Sequence, residues 1–366
     1  MMEMEFFPSR TLVLYLSRLF ITRILAVLVM LVLVLMILDL LGESGDILEY
    51  AGNGEAQLLH YVSLRVPQLI ARFLPYSVLL ATIITLATLN QNSEVISMKA
   101  AGLSAHQVLA PLILTALAIS LVSFAFNERV VTRATATLEA WKAVDYGPVP
   151  RASSVRDNVY LSDGQHILAA GVVTDGEQGM HMRQVTYYRR NSHDMIVEQI
   201  RAPRASYAAP GWKLEQAVRF DLAGMKNTKL ASVTVAPGIT PAQVRISKVD
   251  ADAQNIFELS RSIAALKAAG RRTSELDAAW WHKLSGPLSA LLMPLLGAVA
   301  GFGLARSGQL LIRAVIGMAL GFAYFVVDNA ALAMGNFGGY QPIVAAWAPF
   351  ILFALVGETV LIRTEE

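Results

Sequence analysis

Cysteine is absent from the 366 residues. That removes thiolate zinc sites, iron–sulfur clusters, cysteine nucleophiles and disulfides together. Charge is scarce: only 16% of the residues are charged and the net charge is +2, whereas a soluble domain carries about a quarter charged residues. A balance this near neutral gives no reason to expect nucleic acid as a partner. No Gly-x-x-x-x-Gly-Lys-Ser/Thr phosphate loop occurs, so the chain does not hydrolyse ATP in the usual way, and no Gly-x-Ser-x-Gly elbow occurs either. Gly301-x-Gly303 lacks the third glycine of a dinucleotide fingerprint and falls in a hydrophobic run. The histidines, at 60, 106, 166, 181, 193 and 282, never pair at ligand spacing. No catalytic constellation, metal or cofactor is expected.

What is abundant is apolar. The hydrophobic fraction is 55% and the mean hydropathy is +0.49, which excludes an entirely soluble enzyme. A bilayer core needs roughly 20 apolar residues per helix. Such runs cover about Tyr15 to Leu41, Val66 to Leu89 and Gln107 to Phe126, and after a polar insert about Ala278 to Ala305, Leu310 to Val327 and Ile343 to Ile362. The first run is too long for a signal peptide and no small-residue cleavage site follows, so it reads as a retained anchor. Pro67 and Pro75 are expected to bend the second. The fold class is therefore an α-helical integral membrane protein with six transmembrane helices in a three-plus-three layout.

Basic residues set the orientation. Arg10, Arg18 and Arg23 lie at the start of span one, Lys99 between spans two and three, Arg306 and Arg313 between four and five, and Arg363 after six. The stretch from Gly42 to Tyr61 has none. Both termini are expected in the cytosol and the insert outside. The insert reads as an all-β domain of jelly-roll or sandwich type. Two strands flank Ser162-Asp163-Gly164-Gln165, and further strands at Gln184–Tyr188, Met195–Ile200, Trp212–Phe220 and Lys229–Val235 follow at meander-like spacing. A helix carrying Ile256, Leu259, Ile263 and Leu266 on one face then ends at Gly270, and Ser274 with Asp277 resembles a capping box. The expected divisions are 1–126 with a cytosolic helix at 93–101, the β-domain at 127–250, a connecting helix at 251–276 and the last spans at 277–366.

Ionisable residues inside spans are few: Arg72, Asp328 and Glu358, with His282 and Lys283 near one end. They form no carboxylate row suited to a proton relay, which weakens an ion-coupled carrier. Gly297-x-x-x-Gly301 and Gly317-x-x-x-Gly321 suit close helix contact, within this chain or with a similar partner. The turn between spans two and three, Asn92 to Gly102, reads as a short capped helix: Ser93 can cap, Glu94 complements the positive end and Gly102 stops it. Ser104 and Gln107 then form a capping box for span three. Such a helix suits docking to a soluble partner, and equally suits a plain helical hairpin.

This turn, taken with Val66-Pro67, Phe73-Leu74-Pro75, Gly211-Trp212-Lys213-Leu214, Trp281-His282-Lys283-Leu284-Ser285-Gly286-Pro287-Leu288-Ser289 and Phe322-Ala323-Tyr324-Phe325-Val326-Val327-Asp328, resembles the lipopolysaccharide export permeases, the LptF/LptG family. The last two segments look more like the G-type subunit. The resemblance implies a non-catalytic permease of an ATP-driven transporter in the inner membrane, with a periplasmic jelly roll. It implies pairing with a second, LptF-type permease and docking of an LptB-type cytosolic ATPase dimer through Ser93, Glu94, Val95, Met98, Lys99 and Gly102. It implies lipopolysaccharide as cargo, handed to a single-span, LptC-type bridge protein. Spans one and five would line the lipid cavity, with Leu33, Met36, Leu40, Phe322 and Phe325 as candidates. Ile167, Leu168, Val172 and Val185 are candidates for the apolar groove of the β-domain, and equally for an ordinary β-core. One departure stands out. The G-type pattern is basic near the outer end of span one, whereas Asp39 and Glu43 make it acidic here. A phosphate there would be repelled, so either the lipid carries less phosphate or the contacts come from Arg129, Arg133 and Lys142, residues that also suit a plain solvated helix. The alternative of another class is a membrane scaffold or signalling protein whose β-domain binds a partner and moves nothing.

Overall fold

The computed structural model describes residues 8–148, 154–162, 166–176, 179–191, 195–222, 224–245, 249–268, 271–301 and 310–365. The chain divides into two units, one of Met1–Gly42, Val62–Ala134 and Ala251–Glu366, the other of Glu43–Tyr61 and Thr135–Asp250. The turn expected at Asp163-Gly164 and the helix stop expected at Gly270 lie outside the described residues.

Helices build the first unit. Helix α1 (Arg10–Glu49) is unbroken for 40 residues, about 60 Å at the usual rise. Its buried side chains, Leu16, Phe20, Ile24, Leu28, Val32 and Met36, recur every fourth residue and form the stripe it packs through. Helix α2 (Glu55–Gln91) carries Pro67 and Pro75 inside it. The short helix α3 (Glu94–Ala100) leads to α4 (Ala105–Phe126), which passes through a π-helical turn (Asn127–Val131) into α5 (Thr132–Lys142). After the β-unit come α7 (Ile256–Ala268), α8 (Ser274–Gly301), α9 (Leu310–Asn336) and α10 (Pro342–Glu365). Glycine lets these helices approach closely. A methyl on Gly297 would press on Thr82, one on Gly335 on Ala345, and one on Gly321 on Leu79, so Gly297 and Gly321 serve contacts within this chain.

Among the described residues five helices are long and apolar enough to cross a membrane: α1, α2, the run from α4 through α5, α9 and α10. Helix α8 is 28 residues long and packs on α4, α9 and α10. The expected face of α7 is buried at Leu259, Ile263 and Leu266. At the start of α8, Ser274 and Asp277 do not bond in the reciprocal way expected of a capping box. Asp277 accepts from the Thr273 hydroxyl at 2.8 Å, while Ser274 donates instead to the Asn336 carbonyl at 3.3 Å. Ser274 already sits in the helix, so its hydroxyl no longer faces the orphan amides.

The second unit holds a six-stranded antiparallel sheet in simple order, β1 (Ser154–Ser162), β2 (His166–Gly176), β3 (Gly179–Arg190), β4 (Ile196–Ala208), β5 (Gly211–Asp221) and β6 (Lys226–Val235). The described strands make a meander without Greek-key crossovers, and the sheet is rolled rather than flat. The roll follows from α6 (Pro241–Arg245), which leaves β6 at one edge and contacts β1 at the other. Six flat strands would span about 24 Å at the usual strand spacing, beyond the reach of the five-residue link without curling. Trp212, fully buried, donates its indole N–H to the Ile239 carbonyl at 2.8 Å and pins this link over the inner face.

A crease crosses every strand. The ladders skip Asn158, Gly171, Gln184, Pro203, Gln216 and Ala231, which lie on one line across the sheet. On either side, inward residues stand three apart instead of two: Ala170 and Val173, Met182 and Val185, Ala202 and Ala205, Leu214 and Ala217. Strict alternation cannot do this. Gln184 (φ 54°) and Gln216 (φ 52°) take left-handed backbone there, and Pro203 sits where no ladder N–H is needed. Leu168 and Val185 thus point into the core as expected. Val172 and Ile167 are half-buried on the other face: Ile167 by ordinary alternation, Val172 because the crease gives the inward place to Val173. Truncating Val173 to Ala should therefore cost about 2 kcal/mol, and Val172→Ala about 0.5 kcal/mol or less. Equal losses in thermal unfolding of the detergent-solubilised protein would place the crease elsewhere.

Candidate functional site

The turn between α2 and α4 is fastened at each end and beneath. Val95 and Met98, one turn apart, are buried, whereas Ile96, Ser97 and Lys99 are exposed. At the C-terminus Gly102 takes φ 89° and donates to the Lys99 carbonyl at 3.0 Å, while Leu103 N–H reaches Met98 at 3.1 Å. This is the paired-bond stop that only glycine makes without strain. Ser104 and Gln107 form the expected capping box of α4, at 3.1 and 3.0 Å. The N-terminus corrects the sequence reading. Ser93 is left-handed at φ 59° and makes no side-chain cap, because a capping side chain needs extended backbone to reach the first amides. Its carbonyl instead accepts from both the N–H and the hydroxyl of Ser97, each at 3.0 Å. Glu94, half-buried, accepts from Tyr15 Oη at 3.0 Å and from Asn92 Nδ2 at 3.3 Å. A two-turn helix held this way presents an oriented carboxylate and Lys99 to whatever meets it.

At the other end of α1 the acidic stretch is neutralised. Asp39 accepts two bonds from Arg65, at 2.9 and 2.8 Å. Within the second unit Glu43 pairs with Lys142 at 2.8 Å and takes the Tyr146 hydroxyl on its other oxygen. Each of these two acids thus has a cationic partner, and Lys142 is engaged by Glu43. Arg129, in the π-helical turn, and Arg133, four residues on, are exposed. Burial, and then the bond to the Glu43 carboxylate, push the Tyr146 phenol well above its ordinary range.

The apolar candidates separate. Leu33 is 58% and Phe322 64% exposed, and Leu40 is half-buried. Met36 (7% exposed) and Phe325 (9%) are instead packed inside, the latter stacked on Tyr76 at 3.9 Å between ring centres. A half-open apolar recess lies nearer the start of α1. A cavity of about 530 Å³ is lined by Ile21, Ile24, Leu25, Ile70, Leu74 and Leu114 among others, a volume in the range of small-ligand sites. Sequence reasoning also missed Glu128, which accepts from the Ile256 N–H at 2.6 Å and from the buried Lys283 at 3.4 Å. Only the π-helical turn that offsets it, invisible in residue types, could have signalled it.

Long apolar helices interrupted by an inserted antiparallel sheet define a polytopic membrane protein with a separate β-unit. Residues 14–363 match the family described as "Lipopolysaccharide export system permease LptF/LptG", and the chain belongs to that family. It is LptG-like: it is 27% identical over 327 residues to the lipopolysaccharide export system permease protein LptG of Escherichia coli strain K12, covering 87% of this chain and 89% of that one. It is 26% identical over 308 residues to LptG of Haemophilus influenzae, covering 82% and 84%. The chain is thus a transport component.

Above the ordinary phenol pKa the unfolded chain ionises Tyr146 while the folded chain keeps it protonated, so stability falls as pH rises there. Tyr146→Phe should flatten that alkaline decline while lowering stability at neutral pH by about 1–2 kcal/mol. An unchanged pH profile of the melting temperature between pH 9 and 11 would refute the role.

Proposed function

We propose that the chain is the LptG-type permease of an ATP-driven transporter that lifts lipopolysaccharide from the inner membrane toward a periplasmic bridge. In this reading α8 is the fourth of six spans, so three spans precede and three follow the sheet. Arg10, Arg18, Lys99 and Arg363 keep their side in the cytosol, and the rolled sheet, read as the jelly-roll-like domain, lies in the periplasm. A second, LptF-type permease completes the membrane part, an LptB-type ATPase dimer drives it, and an LptC-type protein receives the cargo. The cargo explains the need for ATP. Exposing acyl chains to water costs about 0.8 kcal/mol per methylene, so extraction is driven uphill unless the chains stay covered. Leu33, Leu40 and Phe322 offer apolar surface for this, and Leu168 and Val185 belong to the core a lipid would enter by opening the roll. Arg129 and Arg133, both exposed, would meet phosphates in this reading.

The observation that carries the reading is the docking helix: a seven-residue helix, capped at its C-terminus and anchored through Val95 and Met98, that holds Glu94 at its first turn. A basic groove on the ATPase would pair with this carboxylate. Glu94→Lys should lower the ATPase recovered with the tagged permease by about tenfold or more, as read by native mass spectrometry from gently extracted membranes, while the two permeases stay paired. ATPase recovered at wild-type yield, with transport intact, would sink the docking role.

A further inference from the structure

Glu94 is not simply displayed; it is tied to the first helix. Tyr15 stands in the second turn of α1, and its hydroxyl reaches Glu94 Oε2 at 3.0 Å across 79 residues of sequence. Asn92 Nδ2 holds Oε1 at 3.3 Å. A carboxylate offers about four acceptor positions, so room remains on Glu94 for a basic side chain of a partner. Below this contact Thr11 and Leu12 of α1 face Ser97, Met98 and Ala101 across an open groove, so the two helices are not fused there by close packing and the hydroxyl bridges them. From Tyr15 onward α1 has no proline, and no glycine before Gly42, the usual causes of kinks. It passes the apolar cavity at Ile21, Ile24 and Leu25, and Arg23 ties it to the Ile84 carbonyl of α2 at 2.9 Å.

We propose that Tyr15 is the positioning residue that couples the docking helix to the cavity wall: its hydroxyl sets the angle of the Glu94 carboxylate and passes displacement of α3 into α1. The inference rests on the reading of α3 as the ATPase contact. Tyr15 itself does not touch the ATPase. Phenylalanine keeps the ring and removes only the bridge.

The test uses the whole transporter, both permeases with the ATPase, in lipid vesicles loaded with lipopolysaccharide. In the Tyr15→Phe complex the ATPase should be retained and ATP hydrolysis should continue. Lipid released per ATP consumed should fall about tenfold, the scale of one lost hydrogen bond to a charged group. Tyr15→His, which returns an N–H donor, should recover part of that ratio. An unchanged ratio in Tyr15→Phe overturns the inference, and so does a fall that the donor variant leaves untouched. Loss of the ATPase itself from the Tyr15→Phe complex also overturns it, because Tyr15 would then belong to the dock. Glu94→Lys, run in parallel, separates the two ideas: wild-type retention of the ATPase in that variant defeats the docking role, whereas its loss beside a normal Tyr15→Phe ratio defeats only the coupling.

Discussion

An apolar helix of 40 residues can hold ionisable groups cheaply only near its ends, and α1 obeys that constraint. Between Ile24 and Leu38 it has no polar side chain, so its position is set by the bonds at either side of that run. On one side stand Tyr15 with Glu94 and Arg23 with the Ile84 carbonyl. On the other stand Asp39 with Arg65, and in the second unit Glu43 with Lys142 and Tyr146. Packing through the stripe from Leu16 to Met36 gives cohesion but little register, since dispersion contacts are non-directional. The polar ties supply the register.

The same logic governs the rest of the first unit. Glu128 satisfies the first amide of α7 and the ammonium of Lys283 at once, and His106 contacts Glu358 at 2.8 Å. The buried pair of Glu128 with Lys283 adds little net stability, because desolvation offsets attraction, yet removing one partner is costly. Here each of these contacts joins helices far apart in sequence. They select one arrangement of helices whose apolar surfaces would tolerate several.

How much of this was legible in sequence follows from range. The apolar runs, the glycine stop at Gly102 and the box at Ser104 and Gln107 depend on neighbouring residues, and each stands where local chemistry placed it. Ser93 failed as a cap because residue type does not report φ. The acidic look of Asp39 and Glu43 misled because Arg65 and Lys142 lie 26 and 99 residues away. Met36 and Phe325 were indistinguishable from cavity-facing neighbours, since a helix apolar on all sides gives no clue to which face meets protein. In the sheet, the doublets Ile167-Leu168 and Val172-Val173 left both members eligible for the core; the phase of the alternation decides the first and the crease the second.

The crease also constrains how the gene can vary. Because the unpaired residues of all six strands lie on one line, inserting or deleting a single codon within any strand would move that strand's break off the line and turn half its side chains over. Length changes in this unit are therefore confined to the hairpin turns, and divergence along the strands must proceed by replacement alone.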